Sequence, residues 1–191
     1  MAATGVGEGA TRVAVLTVSD GVAAGRREDR AGARIAEGLR ARGMVVAERA
    51  VVPDDAEAIR RRLLDWCDGP APPQVVVTLG GTGLGPRDVT PEATRAVLDR
   101  EAPGLAEALR AAGARATLAA YLSRGVAGVR GRTLVVNVAG SEGAAQDAVE
   151  LLGRLLPHAA HVLAGGGHEA GEGWAAARPP GVGGRGGDPV A

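Results

Sequence analysis

The chain has 191 residues, of which 22 are basic and 22 acidic, and its formal net charge is zero. This length predicts one domain with a substantial core, and the balanced charge disfavours partners such as nucleic acid or an anionic membrane. All the basic residues are arginines, and Cys67 is the only cysteine, which excludes an internal disulfide and a cysteine-based zinc site. Because no apolar run approaches the ~18 residues that span a bilayer, and no signal-peptide pattern opens the chain, we expect a soluble, cytoplasmic protein.

Glycine and proline are unusually frequent, with 31 and 11 residues respectively. Ten of the glycines and three of the prolines fall in the 27 residues from Gly165 to Ala191, and we predict a disordered tail over 165–191. Residues 1–11 are predicted to form a flexible N-terminus. One folded domain is therefore expected at 12–164, and its remaining glycines need a structural or chemical reason.

Three apolar runs predict strands buried on both faces, namely Arg12–Val18, Met44–Val52 and Val75–Leu79. The amphipathic stretch Asp29–Arg42 predicts a helix that Gly43 ends. A second helix is predicted from Asp54 through Trp66, with Asp54 and Glu57 as a capping box.

The second half of the chain alternates in the same way. Thr90-Pro91-Glu92 predicts a helix with Thr90 as its N-cap, and Leu105–Ala112 predicts another helix. Two further strands, with a possible hairpin between them, are predicted at Val126–Val129 and Thr133–Val138. Ser141 is predicted to cap the last helix, which Pro157 should break or kink.

This alternation with short connections predicts an α/β fold, with a mostly parallel sheet between two layers of helices. Crossover connections between parallel strands are right-handed, which brings the loops that follow the strands to one edge of the sheet.

Three of these loops carry the chemistry: Ser19-Asp20, Pro53-Asp54 and Gly80 to Asp88. A Gly-Gly-Thr-Gly turn exposes backbone N–H groups and lets a phosphate approach closely. Three nearby aspartates need a counter-charge, which a Mg²⁺ ion bridging carboxylate and phosphate oxygens would supply. This combination indicates nucleotidyl or phosphoryl transfer.

Each of these features also has a structural interpretation, which the sequence leaves open. Asp20-Gly21 is a common turn pair, and Asp54 is a good helix cap. Asp88, two residues before Thr90, favours a helix N-terminus. Glycine-rich turns often follow strands without binding a ligand.

Other nucleotide and metal sites fit less well. A Walker loop needs a lysine, and the chain has none. Gly81-Thr82-Gly83 is followed by Pro86 where the dinucleotide fingerprint requires glycine, which makes a nicotinamide-binding oxidoreductase a weak alternative. Zinc binding by His158, His161 and His168 is disfavoured against ordinary helix-surface and tail positions.

The segment from Thr78 to Ala93, TLGGTGLGPRDVTPEA, resembles the signature of the MogA/MoaB family of molybdenum cofactor biosynthesis proteins, which includes the gephyrin G domain. Three shorter segments are also similar to that family, namely Val18-Ser19-Asp20, Val52-Pro53-Asp54 and Leu122-Ser123-Arg124-Gly125. The similarity covers roughly Thr11 to His168.

This resemblance implies the MogA/MoaB-like molybdopterin-binding fold, commonly a homotrimer, and a molybdopterin adenylyltransferase that uses Mg-ATP and molybdopterin as substrates. Asp54 and Asp88 match the family's two essential aspartates, so the resemblance assigns them to catalysis and to Mg²⁺. It also implies a set of substrate- and phosphate-binding residues, namely Ser19, Asp20, Gly80, Gly81, Thr82, Gly83, Asn137, Gly140 and Ser141.

One segment departs from the family pattern. The family usually has L-P-G-S/Q-P after the last strand, whereas this chain has Val138-Ala139-Gly140-Ser141-Glu142, without either proline. Without the prolines the unbound loop has more conformational freedom, which makes binding more costly. In addition, Glu142 places a carboxylate beside an anionic substrate. The alternative function is therefore a MoaB-type protein that binds molybdopterin with little or no turnover.

Overall fold

The structure is a computed structural model that describes residues 10–166. Most of the N-terminal segment and of the tail predicted above lies outside the described residues. The elements in chain order are β1 (Arg12–Val18), α1 (Asp20–Ala23), α2 (Arg30–Arg40), β2 (Val45–Val52), α3 (Ala56–Cys67), β3 (Val75–Leu79), α4 (Thr90–Arg95), β4 (Arg100–Glu101), α5 (Pro103–Gly113), β5 (Ala127–Arg130), β6 (Thr133–Val138) and α6 (Glu142–Leu163).

Six strands form one sheet in the order β2-β1-β3-β6-β5-β4. The first four strands in this order are parallel, while β5 is antiparallel to β6 and β4 is antiparallel to β5. The predicted, mostly parallel α/β sheet is therefore confirmed, and so is the hairpin between β5 and β6. The two-residue strand β4 was not predicted, because two residues show no period.

Two hydrophobic cores lie on opposite faces of the sheet because β1 sends alternate side chains to each. Val13 and Val15 pack with helices α2 and α6, and Ala14 and Leu16 pack with α3 and α4. Each fully buried leucine or isoleucine stabilises this arrangement by ~1.5–3 kcal/mol. The three layers predicted from the alternation of elements are thus present.

Strand β2 differs from the prediction of a strand buried on both faces. It is the edge of the sheet, and of its eight residues only Val52 is buried. The apolar run alone could not show this, because valines and alanines also occupy half-exposed edge positions.

One prediction about a helix end is wrong, and so is the predicted break in the last helix, whereas the alternative of a kink at Pro157 stays a prediction. Val89 occupies the N-cap position of α4 and no side chain caps that helix, so Thr90 is its first residue. Helix α6 continues through Pro157 without a break. Proline removes one backbone hydrogen bond from a helix, and the buried residues Leu152, Leu156 and Ala160 hold the helix on the sheet on both sides of it.

Cys67 is buried at the end of α3, and desolvation raises the pKa of its thiol to about 11. Within residues 10–166, no helix combines the length and the apolar character that crossing a membrane requires. The cytoplasmic location stays a prediction.

Candidate active site

Four parallel strands bring their carboxyl ends to one edge of the sheet. Val18 pairs with Val52, and Leu79 pairs with Val138, in the registers of neighbouring strands. The loops that follow these four residues are therefore neighbours, as the sequence predicts. They carry Asp20, Asp54, the segment Gly80 to Asp88, and the segment Ala139 to Glu142.

Asp20 and Asp54 bind each other's backbone. The Asp20 N–H donates to Asp54 Oδ2 at 2.8 Å, and the Asp54 N–H donates to Asp20 Oδ1 at 3.0 Å. Helix α3 is capped by Asp55, which accepts from the Ala58 N–H at 2.8 Å. The predicted cap at Asp54 is wrong because its carboxylate binds across the strands and the helix starts one residue later.

The counter-charge expected among the aspartates comes partly from the protein itself. Arg87, in the glycine-rich segment, donates to Asp20 Oδ2 at 2.6 Å. Asp20 also begins the short helix α1, in which Ser19 accepts from the Val22 N–H at 3.3 Å. Asp20 therefore combines the predicted turn with a position in the site.

The Gly80–Asp88 loop needs glycine at its first two positions. Gly80 has φ +101° and Gly81 has φ +62°, which side chains rarely adopt. An added Cβ on Gly80 would lie 2.3 Å from the Val18 carbonyl oxygen, and one on Gly81 would lie 2.3 Å from Thr90 Oγ1. Thr90 Oγ1 is itself buried without a hydrogen-bond partner within residues 10–166.

Asp54 and Asp88 both lie against this loop. Asp54 Oδ1 is 3.3 Å from the position that a Cβ on Gly81 would take, and Asp88 Oδ2 is 2.9 Å from the corresponding position on Gly83. Asp88 Oδ2 also accepts from the Gly85 N–H at 2.9 Å. The side chains of both predicted catalytic residues thus lie beside the same short stretch of backbone, Gly81 to Gly83.

Several N–H groups of the loop make no hydrogen bond with the described residues. Among residues 10–166, no acceptor binds the N–H groups of Thr82, Gly83 or Leu84, whereas the Gly81 carbonyl accepts from the Thr90 N–H at 3.0 Å. Successive backbone N–H groups without acceptors form a site that suits phosphate oxygens. Thr82 is buried, and its hydroxyl accepts from Ser123 Oγ at 3.1 Å.

A cleft of about 680 Å³ opens beside Asp54. Of the predicted residues, it is lined by Ser19, Asp54, Gly140 and Ser141. Five charged residues outside the predicted binding set also line it, namely Arg27, Glu28, Asp29, Arg30 and Glu142. The charged run RREDR at 26–30, which follows α1, was the available signal for four of them.

Asn137 lies away from the cleft in the core. Its Oδ1 accepts from the Val126 N–H at 3.1 Å, and its Nδ2 donates to Thr78 Oγ1 at 2.9 Å and to Thr94 Oγ1 at 3.0 Å. With both polar atoms of the amide engaged, Asn137 ties strands β3 and β6 to helix α4. Its place in the predicted binding set stays a prediction.

The loop after β6 packs tightly on the glycine loop. A Cβ on Gly140 would lie 3.0 Å from Gly80 Cα, so the two backbones are in contact. Ser141 caps α6, accepting from the Ala144 N–H at 3.1 Å. Glu142 accepts from Arg34 at 3.4 Å at the mouth of the cleft.

Arg124 and Glu92 were not predicted as site residues, yet Arg124 holds the glycine loop and Glu92 holds Arg124. Arg124 donates to the carbonyl oxygens of Gly83 and Asp88 and to the Glu92 carboxylate. Partial burial acts to raise the pKa of Glu92, but the Arg124 hydrogen bond and charge outweigh it, and the pKa is lowered. The L-S-R motif was the available signal, although its partners lie about 30 to 40 residues away in the chain.

Across residues 10–166, no three carboxylate, histidine or cysteine side chains converge as a ready-made metal site. His158 and His161 are therefore not part of such a group, and His168 lies outside the described residues.

Comparison with known proteins agrees with this arrangement. Residues 14–158 match the family described as "Probable molybdopterin binding domain". The chain belongs to this family.

Solved and curated members of this molybdopterin-binding family cover nearly the whole described domain. The molybdopterin biosynthesis enzyme MoaB from Thermus thermophilus is 48% identical, with a TM-score of 0.76, over 81% of this chain and 97% of that one. The molybdopterin adenylyltransferase of Helicobacter pylori is 32% identical over 80% of this chain and 88% of its own length.

Other family members are longer. The molybdenum cofactor biosynthesis bifunctional protein of Chlorobaculum tepidum is 40% identical over 82% of this chain, which spans only 50% of that protein. The first curated relatives thus contain further sequence that this chain does not match. The family match therefore places this domain among the molybdopterin-binding domains of molybdenum cofactor biosynthesis proteins.

Proposed function

We propose that the protein transfers the adenylyl group of Mg-ATP to the terminal phosphate of molybdopterin. The observation that carries this proposal is that Asp54 and Asp88 lie against a glycine loop in which three successive N–H groups, those of residues 82–84, have no acceptor within residues 10–166. The name of the Helicobacter pylori relative supports the same reaction.

The reaction forms one bond and breaks one. An oxygen of the terminal phosphate of molybdopterin attacks the α-phosphorus of ATP, and a new P–O bond forms. The bond from the α-phosphorus to the α,β-bridging oxygen breaks, and pyrophosphate leaves with that electron pair. Nothing is oxidised or reduced, so catalysis rests on positioning the substrates and stabilising their charge.

The loop would bind the phosphates of one substrate, and the cleft would bind the other substrate. The N–H groups of Thr82, Gly83 and Leu84 would bind phosphate oxygens. Such preorganised donors stabilise the negative charge that develops on these oxygens during the reaction. The cleft, lined by Ser19, Gly140 and Ser141, would hold the second substrate beside Asp54. Asp20 would position Asp54 through the two hydrogen bonds between these residues.

The residues present fit Mg²⁺. Asp54 and Asp88 supply carboxylate oxygens, and Mg²⁺ is typically held by one or two carboxylates together with substrate phosphates and water. When bound, Mg²⁺ neutralises charge on the phosphate oxygens.

The test measures pyrophosphate and adenylyl-molybdopterin from Mg-ATP and molybdopterin. Asp54→Ala and Asp88→Ala should each lower turnover by about 10²-fold or more while the fold remains. Asp55→Ala is the matched control, since it removes the neighbouring carboxylate that caps α3. A wild type no faster than the Asp54 and Asp88 variants would contradict the proposal.

A second candidate is a MoaB-type protein that binds molybdopterin with little or no turnover. Glu142 favours it, because this carboxylate lines the cleft and would repel an anionic substrate. Calorimetry that shows molybdopterin binding, together with absent pyrophosphate release, would support this candidate. Robust turnover would eliminate it.

The homotrimer implied by the resemblance is also a proposal. Leu118, Tyr121 and Leu122 are exposed large apolar side chains on one 3₁₀ turn, and self-association would cover such a surface. Light scattering should give three times the mass of the chain, and a monomer mass would contradict it.

A further inference from the structure

We infer that Arg124 is a positioning residue that sets the direction of the N–H groups in the Gly80–Asp88 loop. The consequence for catalysis rests on the proposed adenylyl transfer, whereas the effect on the loop does not. Arg124 lies outside the loop, between the exposed 3₁₀ turn Leu118–Leu122 and strand β5.

Arg124 binds the loop at both of its ends. Its backbone N–H donates to the Thr82 carbonyl at 2.8 Å, and its Nε donates to the Gly83 carbonyl at 2.7 Å. One terminal nitrogen donates to the Asp88 carbonyl, and the other donates to the Glu92 carboxylate at the start of α4. One residue therefore connects the beginning of the loop, its end and the following helix.

These contacts fix which way the N–H groups face. In a trans peptide the C=O of one residue and the N–H of the next point in opposite directions. Holding the Thr82 and Gly83 carbonyls on Arg124 therefore turns the Gly83 and Leu84 N–H groups to the opposite side. The Gly81 carbonyl accepts from the Thr90 N–H, and this bond fixes the direction of the Thr82 N–H in the same peptide unit.

The same contacts position Asp88. Its carbonyl binds Arg124, and its Oδ2 accepts from the Gly85 N–H, so both its backbone and its side chain are tied to the loop. Arg110 fixes the backbone on both sides of Arg124. It donates to the carbonyl of Ser123 at 3.4 Å and to the carbonyl of Gly125 at 2.9 Å.

The geometry requires arginine rather than any cation. Three nitrogens of one planar guanidinium bind three separate acceptors, whereas a lysine ammonium is a single point of charge. Arg124→Lys therefore keeps the charge but releases at least part of the loop. It is the variant that separates positioning from electrostatics.

Arg130→Lys is the matched control. Arg130 donates to both Asp68 oxygens, at 2.8 Å and 2.6 Å, and to the Val97 carbonyl at 2.9 Å, at the far end of β5. Like Arg124 it binds one carboxylate and a backbone carbonyl, and it touches neither the loop nor the cleft. Its loss should cost similar stability without disturbing the site.

Two measurements on the full chain test the inference. Without ligand, amide hydrogen exchange at Gly85, Asp88 and Thr90, whose N–H groups are hydrogen-bonded within or to the loop, should be about tenfold faster in Arg124→Lys and unchanged in Arg130→Lys. With substrates, kcat/KM for Mg-ATP should fall by about 10²-fold in Arg124→Lys, with unchanged molybdopterin affinity and little change in Arg130→Lys.

Unchanged exchange in the loop would overturn the inference, whatever the activity. Faster exchange with unaltered use of Mg-ATP would restrict Arg124 to a structural role and also overturn it. A wild-type protein that neither binds Mg-ATP nor releases pyrophosphate would refute the proposed function instead, and the exchange experiment would still decide the effect on the loop.

Discussion

Two loops at the carboxyl edge of the sheet are held in place by different means. The Gly80–Asp88 loop is bound by Arg124 and Thr90 through its backbone and by Asp88 through its own side chain. The Val138–Glu142 loop has its serine cap and an exposed ion pair between Glu142 and Arg34, with side chains 46% and 47% exposed. Exposed pairs of this kind contribute only ~0–1 kcal/mol.

The difference shows where this site is preorganised and where it is adjustable. The loop that would hold phosphates is fixed from several directions before any ligand binds, which reduces the entropy lost on binding. The loop after β6 lacks the two family prolines and meets the glycine loop through the bond from the Gly80 N–H to the Val138 carbonyl and the contact between Gly140 and Gly80. Four substitutions test this contrast.

The largest effect is expected for Gly80→Ala, which pushes a Cβ against the Val18 carbonyl oxygen at 2.3 Å in a residue with φ +101°. The left-handed backbone and the clash together should cost about 2–4 kcal/mol of unfolding free energy, measured by urea denaturation. Gly131→Ala is the control, with φ +54° and no atom within 4 Å, and should cost only ~1 kcal/mol. Equal losses in the two variants would contradict close packing of the loops.

Glu142→Pro should strengthen the weaker loop. Glu142 is the first residue of α6, where proline is favoured, and the change also removes a negative charge from the cleft. We expect Mg-ATP or molybdopterin to bind a few-fold tighter by calorimetry, with the unfolding free energy within ~1 kcal/mol. Glu142→Gln separates the charge from the stiffening, and weaker binding by both variants would contradict the repulsion.

Glu92→Gln should weaken the stronger loop in a pH-dependent way. Because the pKa of Glu92 is lowered in the folded state, its charge stabilises the fold above the unfolded value near 4.5, and this contribution is lost as the pH falls through the folded value. The carboxylate is half exposed, so the effect at pH 7 should stay below ~1 kcal/mol. Thermal unfolding should show the variant less stable at pH 7 and equal to wild type near pH 3, and a constant difference would contradict the ion pair.

The smallest effect is expected for Arg34→Ala. This change removes the exposed partner of Glu142, and the melting temperature should move by only a degree or two. Arg124→Ala provides the contrast, since it should lower the melting temperature measurably. A large loss for Arg34→Ala would show that the two loops are held equally firmly.

Much of the fold could be predicted because it depends on local pattern. The apolar runs that became β1, β3 and β6 are buried on both faces, as parallel strands require. The positions of Asp20, Asp54 and Gly80 at one edge followed from topology alone. Local pattern could not show that β2 is an edge strand, because burial of a strand depends on which strands pair with it.

The details of the site depended on distant partners. Asp54 and Asp55 are chemically identical neighbours, and only the Asp20 backbone, 34 residues away, decides which of them caps α3. Nothing in the sequence distinguishes the two arginines at 124 and 130. Arg124 nevertheless binds the glycine loop, whereas Arg130 binds Asp68 at the far end of the sheet. Which carboxylate or carbonyl a long side chain reaches is fixed by tertiary structure.

The buried thiol of Cys67 has a practical consequence for labelling the protein. With a pKa of about 11, roughly one thiol in 10⁴ is ionised at pH 7, and the thiolate is the form that reacts with maleimides. We therefore expect Cys67 to react with thiol reagents much more slowly than an exposed cysteine. A cysteine introduced at the exposed Leu84 would carry a fluorophore beside the glycine loop, and its emission would report ligand binding without removal of the native thiol.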